Sequence, residues 1–241
     1  MRKFIFALLF LVSACTVAHA QISAETGLSL ANLAFTAPNT SVSTSMKPGA
    51  TFGLVADMRF GTHIYFEPAV FYDMAGCKFS TPAGTYSISR MNIPVNIEYK
   101  SGIRCGNRLM VGVGLFFGNI LAASYSKKVS GTEKDSTVVY KIGSDNTSDI
   151  KQLDLGFGFN IGYQLKQKFY FRASYQKGLA NLYPNGGTDY SIKSSNIGLT
   201  VGYVFIRCKP RKGQDPFRIQ ERDHWRGLSK GKYSRRLKYG W

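Results

Sequence analysis

The sequence predicts an all-β fold, an eight-stranded antiparallel up-and-down transmembrane β-barrel with a basic C-terminal extension. Three observations support this prediction. Apolar and polar residues alternate in eight segments, which is the period of a β-strand. The connections between these segments are alternately long and short, as in membrane barrels. After residue 20 no apolar segment reaches about 18 residues, the length that a membrane-spanning helix requires.

The eight predicted strands differ in how clearly they alternate. The first, 22–32, alternates weakly, whereas the second, 51–60, alternates strictly, with an apolar face made of Phe52, Leu54, Ala56, Met58 and Phe60. The remaining strands are predicted at 64–73, 88–99, 109–118, 152–163, 169–176 and 196–205. In the fourth strand Ile88 and Met91 both fall in the apolar set, so the alternation changes phase near Arg90. This change predicts a β-bulge.

The lengths of the connections predict the orientation of the chain. The long ones are expected at 33–48, 75–85, 125–149 and 180–190, and the short ones at 61–62, 101–107 and 166–168. In membrane barrels the extracellular loops are long and the periplasmic turns are short. Because an even number of strands returns the chain to its starting side, both termini are expected in the periplasm. The predicted location is the outer membrane of a Gram-negative cell.

Two features favour a lipid-facing exterior over a soluble, lipocalin-like barrel with an apolar interior. Glycine weakens a strand that faces water, but inside a narrow barrel it makes room for the side chains of neighbouring strands. The polar face is rich in glycine, with Gly112, Gly114, Gly156, Gly158 and Gly162. Aromatic residues also cluster at both ends of the apolar face, as expected for two interfacial girdles. Near the short turns these are Phe60, Tyr99, Tyr163, Phe169, Tyr203 and Phe205. Near the long loops they are Tyr72, Tyr86, Phe117 and Tyr175.

The N-terminus has the pattern of a secretory signal peptide, predicted at 1–20. Arg2 and Lys3 are followed by a short apolar run, and Ala-His-Ala at 18–20 fits the A-x-A cleavage rule. A competing lipobox-like pattern ends at Cys15, which would then become a lipidated N-terminus. Cleavage after residue 20 is favoured, because a strand pattern begins directly afterwards.

The mature chain has three cysteines, namely Cys77, Cys105 and Cys208. They include no C-x-x-C pair, so neither a zinc site nor a thioredoxin-like motif is supported. A disulfide between Cys105 and Cys208 stays open, since both are expected on the periplasmic side.

The charge is concentrated in the C-terminal extension. Residues 207–241 hold 12 Lys and Arg against 3 Asp and Glu, which is about half of the net charge of +17. The barrel, predicted at 21–206, is therefore only mildly basic, and no nucleic-acid partner is expected. Aromatic residues are interleaved with the charges of the tail. It is interpreted either as a periplasmic segment that binds an anionic partner, such as the inner leaflet or cell-wall polymer, or as a solvated, disordered extension.

Several of these segments resemble a known family. The stretch from Ser89 to Lys100, Ser-Arg-Met-Asn-Ile-Pro-Val-Asn-Ile-Glu-Tyr-Lys, is similar to a strand of the PorT-like outer-membrane β-barrel domain family. The glycine-spaced strand 112–118 and the closing strand 198–205 are similar to it as well. The resemblance covers about residues 21–206 and implies an outer-membrane barrel. The family is named after a component of a protein-secretion system, but fold-level likeness does not carry function.

The polar face supplies the candidate site. Eight charged residues are expected to line the lumen: Asp57, Arg59, Glu67, Asp73, Arg90, Glu98, Asp154 and Arg172. They form either a functional site, such as a proton or ion path, or a structural network that neutralises and fills the barrel. The structural network is favoured, because buried charges must be paired. No catalytic residue, metal site or cofactor is predicted.

The protein is predicted to be a non-enzymatic outer-membrane barrel with a binding or scaffolding role. A secretion or envelope assembly is one complex in which it could have this role. The alternative is an outer-membrane enzyme of the lipid A-modifying or protease type on the same barrel. Such enzymes rely on an outward-facing histidine, whereas His63 lies beside a short turn. A channel is disfavoured, because eight strands leave no water-filled bore. Expected partners are outer-membrane lipid, an envelope protein complex and the anionic partner of the tail.

Overall fold

The computed structural model describes residues 20–37, 40–41, 44–60, 63–79, 84–102, 107–127, 136–143, 148–166, 168–184 and 190–206. The predicted signal peptide and the competing lipidation at Cys15 fall outside these ranges. So do Cys105 and Cys208, whose disulfide was left open, and the predicted tail 207–241. Cys77 is described, and it is a buried free thiol.

Twelve strands lie within the described ranges. They are β1 (Gln21–Ala37), β2 (Thr40–Ser41), β3 (Thr44–Arg59), β4 (Ile64–Phe79), β5 (Gly84–Gly102), β6 (Arg108–Lys127), β7 (Ser136–Val139), β8 (Ile142–Gly143), β9 (Ile150–Lys151), β10 (Leu153–Leu165), β11 (Phe169–Gly178) and β12 (Ser191–Ile206). Eight of them are long, and these correspond to the eight predicted strands.

The eight long strands form a closed ring. Neighbours pair in the order β1, β3, β4, β5, β6, β10, β11 and β12, and β12 pairs back with β1. Every pairing in this ring is antiparallel, and at the seam Leu28 lies opposite both Leu199 on β12 and Ala50 on β3. The predicted eight-stranded up-and-down barrel is confirmed. In the described part of the chain no helix is long and apolar enough to cross a membrane.

The two ends of the barrel differ. The short connections around 60–63, 102–108 and 165–169 lie at one end, together with the start of β1 and the end of β12. We call this the turn end and the opposite one the loop end. The loop end carries β2, β7, β8, β9 and the segment 179–184.

The outward face is apolar and the inward face is polar through the central part of the barrel. On β6, Val113 is 62 % exposed and Phe117 is 46 % exposed, although both are large apolar residues. On the neighbouring β5, Asn92 and Glu98 face inward and are buried. A soluble barrel would show the reverse arrangement, since apolar area is what folding in water removes from solvent. The outward face therefore meets lipid.

The strands at the loop end are longer than predicted. β5 has 19 residues and β6 has 20, so ladder pairing continues through much of the predicted loops 75–85 and 125–149. The apolar outward run on β10 spans Leu153–Leu165, about 40 Å along the strand at ~3.3 Å per residue. With the usual tilt this matches an apolar band of about 25 Å. The longer strands β5 and β6 extend beyond this band at the loop end.

The predicted bulge near Arg90 occurs at that level, but it lies on the neighbouring strand β6 and not on β5. The inward residues of β5 keep one phase along the whole strand, and Ile88 is buried on the inward face together with Arg90. The pairing register does shift at Ser89, but the extra residue is Leu121 on β6. The apparent change of phase arises because the chemistry of the two faces exchanges at this level. Loop-ward of Ser89 the outward residues of β5 are polar and the inward residues are apolar.

The loop-end mouth of the barrel is filled by an apolar cluster. Its buried members are Ala31, Leu33, Ala75, Cys77, Tyr86, Ile88, Ile120, Ala123, Ile150 and Leu182. Tyr86, predicted for the outward aromatic girdle, is therefore an interior residue. Backbone hydrogen bonds hold the closing segments in place: Lys151 N–H donates to Leu182 O at 2.9 Å, and Leu182 N–H donates to Ile192 O at 3.0 Å.

Candidate functional site

Charge is unequally divided between the interior and the exterior of the barrel. The described ranges contain seven Asp and Glu, and all but Asp149 are buried in the lumen. They also contain fourteen Lys and Arg, and only Arg90, Lys100 and Arg172 are buried. The lumen thus holds six buried acidic and three buried basic side chains. We describe them as a turn-side network and a loop-side network.

Arg172 on β11 is the centre of the turn-side network. Its Nη2 donates to Glu67 Oε2 at 2.7 Å and lies 3.1 Å from Glu98 Oε1. Its Nη1 lies 3.2 Å from Glu25 Oε2. One guanidinium therefore contacts carboxylates from β1, β4 and β5, which are spread over nearly half of the ring. The planar fork of arginine is suited to this, because it presents several donors in fixed directions.

Lys100 on β5 is the second cation of the turn-side network. Its ammonium donates to a carboxylate oxygen of Asp57 and lies 3.2 Å from Glu98 Oε2. A third carboxylate, that of Glu67, lies 3.9 Å away. The ammonium also sits 5.0 Å from the ring centre of Tyr65, within the range of a cation–π contact.

Neutral donors complete the turn-side network around Glu25 on β1. The Tyr170 hydroxyl donates to Glu25 Oε2 at 2.8 Å, and the Thr200 hydroxyl donates to Oε1. The Ser23 hydroxyl lies 3.0 Å from that of Tyr170. Hydrogen bonds of this kind are needed in a dry interior, because an unpaired carboxylate there is costly.

The loop-side network is organised by Arg90 on β5. Its Nε donates to Asp73 Oδ2 at 3.3 Å, its Nη1 to Asp154 Oδ2 at 3.1 Å and its Nη2 to Gln176 Oε1 at 3.2 Å. Asn92 Nδ2 donates to both Asp73 and Gln176 at 3.0 Å. The strands β4, β5, β10 and β11 are thereby tied together across the lumen.

Each carboxylate of the loop-side network also has a hydroxyl donor. The Thr51 hydroxyl donates to Asp73 Oδ1 at 2.6 Å, and the Ser194 hydroxyl donates to Asp154 Oδ2 at 2.6 Å. The guanidinium of Arg90 lies 5.6 Å from the ring centre of Phe116. The network is thus enclosed by polar partners on the strands and by an aromatic ring on β6.

A small cavity lies between the two networks. It has a volume of about 50 Å³, and its lining includes Asp73, Asn92, Asn160 and Arg172. A second cavity of about 10 Å³ lies beside Arg90 and Asp154, under the apolar cluster of the mouth. A polar cavity of the larger size has room for a few water molecules and for no organic solute.

The structure places the predicted lumen residues as follows. Asp57, Glu67, Asp73, Arg90, Glu98, Asp154 and Arg172 are all buried. Arg59 has the inward phase but is exposed, because it is the last residue of β3 at the turn end.

Two members of the networks were not predicted. Glu25 was missed because the first strand alternates weakly, although it shares a phase with Ser23 and Ser29. Lys100 was missed although it follows Glu98 by two residues, the spacing that places both on one face of a strand.

The predicted role of the lumen glycines is confirmed. A Cβ on Gly156 would lie 2.5 Å from a ring carbon of Phe116, and one on Gly112 would lie 2.8 Å from Glu98 Cγ. The space that glycine leaves empty on one strand is thus occupied by a large side chain from the next. This is how an eight-stranded lumen accommodates rings and charged groups.

Carboxylate oxygens of Asp57, Glu67 and Glu98 lie within 4.8 Å of one another, close enough to hold a metal ion. The ammonium of Lys100 stands among them, however, and a cation already occupies the centre of the group. His63 at the turn end stacks on Tyr99, with ring centres 5.6 Å apart. In the lumen, each of the nine described buried charges takes part in an ion pair, and oxygens of Asp57, Glu67, Glu98 and Asp154 have no hydrogen-bond partner.

Comparison with known proteins gives a family and a set of similar folds. No curated protein sequence matches the chain. Similar solved structures include Neisserial surface protein A, with 14% identity, a TM-score of 0.39, and 78% of this chain and 97% of that chain covered. Ail of Yersinia pestis has 14% identity, a TM-score of 0.41 and coverages of 78% and 99%. OprG of Pseudomonas aeruginosa has 12% identity, a TM-score of 0.43 and coverages of 78% and 97%.

The family match rests on the sequence itself. Residues 17–183 match the model of the outer membrane protein beta-barrel domain, and this segment is more than half of the chain. The closed ring with its apolar exterior and charged lumen agrees with that match. The protein therefore belongs to the outer membrane protein β-barrel domain family, and its place is the cell outer membrane.

Proposed function

We propose that this protein is a closed, non-enzymatic barrel that serves as a binding or scaffolding element of the outer membrane. The observation that carries the proposal is the filled lumen. Arg172, Lys100 and Arg90 connect strands across the interior, and the larger lumen cavity has a volume of only about 50 Å³. Because these side chains fill the lumen, we expect partners to bind at the outer wall, the loop end or the tail.

The same observation disfavours a channel. A permeating solute would have to displace two ion-pair networks and then the apolar cluster of the mouth. Separating a buried ion pair is strongly unfavourable, since each partner loses its compensation. The segments that carry Ile150 and Leu182 close the mouth further through backbone hydrogen bonds.

Against the enzyme alternative stands the environment of His63. An outward-facing hydrolytic site requires a base near a nucleophile at the loop end. His63 instead lies at the turn end, where it stacks on Tyr99 and its backbone carbonyl accepts a hydrogen bond from Lys100 N–H at 2.8 Å. Measurable acyl or peptide hydrolysis by the purified barrel would favour the alternative.

The proposal includes a domain arrangement and a setting. It comprises a signal peptide at 1–20, a barrel at 21–206 with both termini in the periplasm, and a basic tail at 207–241. A tail in the periplasm is positioned to bind an anionic partner there. A relation to the PorT-like proteins, and with it a place in a secretion or envelope assembly, is supported by the resemblance of 89–100.

Conductance in planar bilayers tests the filled lumen. The wild-type barrel is expected to give no stable conductance steps. The double substitution of Arg90 and Arg172 by Ala, which removes the central cation of each network, is expected to give ion conductance or an unfolded barrel. The loss of heat-modifiable migration on a gel distinguishes unfolding from conduction. Stable single-channel steps from the wild-type barrel would contradict the proposal.

Labelling of intact cells tests the proposed topology. An epitope tag inserted near residue 144 is expected to bind antibody on intact cells, because the loop end is proposed to face outward. A tag near residue 167 is expected to bind only after the outer membrane is permeabilised. The opposite pattern would place the termini outside.

A further inference from the structure

The exterior of the barrel carries a strong excess of positive charge. Of the fourteen described Lys and Arg, eleven are outside the buried lumen set, whereas Asp149 is the one described acid outside it. Seven of the eleven lie at the loop end: Lys47, Lys78, Lys127, Lys141, Lys151, Lys177 and Lys193. The described part of the exterior, with Asp149 as its one acid, thus presents an attractive surface to anionic groups.

Three of these lysines share one flank of the barrel. Lys177 on β11 lies opposite Ser195 on β12, so Lys193 is two residues further along the same face. Lys151 N–H donates to Leu182 O, and Leu182 N–H donates to Ile192 O, which places Lys151 about two strand spacings, ~10 Å, from Lys193. The three residues thus form a row along the loop-end margin of β10, β11 and β12, with Lys193 in the middle, because Lys177 lies opposite Phe157, six residues or ~20 Å along the chain from Lys151.

The position of the group relative to the lipid-facing band is regular. On β11 the outward apolar run 169–175 is followed by Lys177, and on β10 the run 153–165 is preceded by Lys151. On β12 the run 197–205 is preceded by Ser195 and then Lys193. On each of the three strands the outward apolar run therefore ends in a lysine, but Lys177 lies opposite Phe157 and so ends its run nearer the turn end than Lys151 does. On β5, by contrast, the corresponding residues are Ser87 and Ser89.

The three side chains have no acidic partner within the described residues. None of them takes part in an ion pair there, whereas each buried cation of the lumen has at least two carboxylates. Lys193 is exposed, and Lys151 and Lys177 are partly exposed. Asp149 is the nearest described acid in the sequence, and its Oδ2 accepts a hydrogen bond from Lys141 N–H.

We propose that the loop-end margin of β10, β11 and β12 binds the phosphate groups of a lipid headgroup through Lys151, Lys177 and Lys193. The occupant is a phosphorylated glycolipid of the outer leaflet, with its acyl chains along the apolar run below the lysines. This choice of lipid rests on the proposed topology, in which the loop end faces outward. An acidic soluble protein fits less well, because the lysines border the apolar band that lipid occupies.

The test uses the full barrel in neutral detergent and counts bound lipid by native mass spectrometry. The probes are diphosphorylated lipid A, its dephosphorylated form, phosphatidylglycerol and inorganic phosphate. The test variant is Lys151→Gln with Lys177→Gln and Lys193→Gln. The control variant is Lys78→Gln with Lys127→Gln and Lys168→Gln, which removes the same charge from other exposed sites. Heat-modifiable migration shows that both variants are folded.

The wild-type and control barrels are expected to retain diphosphorylated lipid A equally. The test variant is expected to lose affinity by about fivefold per lysine removed. Equal retention by the two variants, or equal retention of the dephosphorylated lipid, would overturn the proposal. Competition by inorganic phosphate would show a site for the free anion, and tighter retention of phosphatidylglycerol would exclude the glycolipid. Because detergent micelles have no sides, an inverted topology in cells leaves this result unaffected.

Discussion

The turn-side half of the lumen and the loop-end mouth are filled by opposite chemistries. The turn-side half is packed with charges, where Arg172 and Lys100 hold four carboxylates together. The mouth is packed with apolar side chains such as Ile88 and Leu182, which are 4 % and 1 % exposed. The same strands, β1, β4 and β5, contribute to both regions. The difference therefore follows from what surrounds each level of the strands.

Within the lipid band the outward face must be apolar, so polar residues are left for the lumen, where they pair. Beyond the band the outward face meets water, and the interior can be a dry core like that of a soluble protein. On β5 the exchange occurs between Ile88 and Met91: Ser87 and Ser89 face outward loop-ward of it, and Met91 faces outward below it. The level at which the faces exchange chemistry thus marks the edge of the membrane.

The largest effect is expected from Arg172→Leu. The substitution leaves the carboxylates of Glu25, Glu67 and Glu98 without their common partner, and removing one member of a buried ionic group costs about 3–5 kcal/mol. The free energy of unfolding by urea, measured in detergent micelles, should fall by about 5 kcal/mol. Lys168→Leu at the exposed turn is the control and should change it by less than about 0.5 kcal/mol. Equal effects would mean that the network contributes nothing to stability.

A smaller loss is expected from Arg90→Leu. Only two carboxylates lose a cation here, against three around Arg172, and each keeps a hydroxyl donor, Asp73 from Thr51 and Asp154 from Ser194. The free energy of unfolding should fall by about 3 kcal/mol, the lower end of the usual range. A loss larger than that of Arg172→Leu would show that the loop-side network holds the barrel together.

A substitution in the apolar cluster of the mouth should favour opening of the mouth more than unfolding of the ring of strands. Leu182→Ala removes a buried side chain from the apolar cluster, a change that typically costs about 2–5 kcal/mol. Because the segment 179–184 lies outside the ring of strands, most of this cost should appear as opening of the mouth. Cys77, which is 0 % exposed and belongs to the cluster, reports such opening.

In a background with Cys105→Ser and Cys208→Ser, a thiol reagent should label Cys77 slowly in the wild type and at least tenfold faster in Leu182→Ala. Leu199→Ala on the lipid-facing wall is the matched control and should leave the rate unchanged. Rapid labelling of the parent barrel would mean that the mouth is open in solution.

Much of the architecture follows from the sequence for a simple reason. Strands with lipid on one side and a narrow lumen on the other must alternate strictly, so 51–60 and 152–163 were predicted as strands with the correct faces. Inward charges were found wherever that alternation was clean, as for Glu67 and Asp154. Their pairing across the ring was not accessible, because Arg172 meets carboxylates 74 to 147 positions away in the chain.

The wrong predictions concern the ends of the strands, where the outward face no longer meets lipid. Tyr86 and Ile88 were assigned to the outward face because apolar residues were expected there along the entire strand. Loop-ward of the membrane the exterior is water, and the assignment reverses. The long loops were overestimated for the same reason, since 75–79 and 84–85 continue the ladder without a lipid-facing pattern. Arg59 was assigned to the lumen although the barrel ends at that residue.

The smallest effect concerns Ser194, which stands at the boundary between the two regions. Its hydroxyl donates to Asp154 Oδ2 at 2.6 Å, and the residue also lines the small cavity beneath Leu182. Ser194→Ala removes one hydrogen bond to a carboxylate that keeps its ion pair with Arg90, so the free energy of unfolding should fall by about 1.5 kcal/mol. Ser195→Ala on the other face is the control, because its hydroxyl makes only a 3.5 Å contact with Asn32 O. In the Arg90→Leu background Asp154 depends on Ser194 more strongly, and the same substitution should then cost more than it does alone. Additive effects in this double-mutant cycle would show that the polar network ends below Ser194 and that this residue belongs energetically to the mouth.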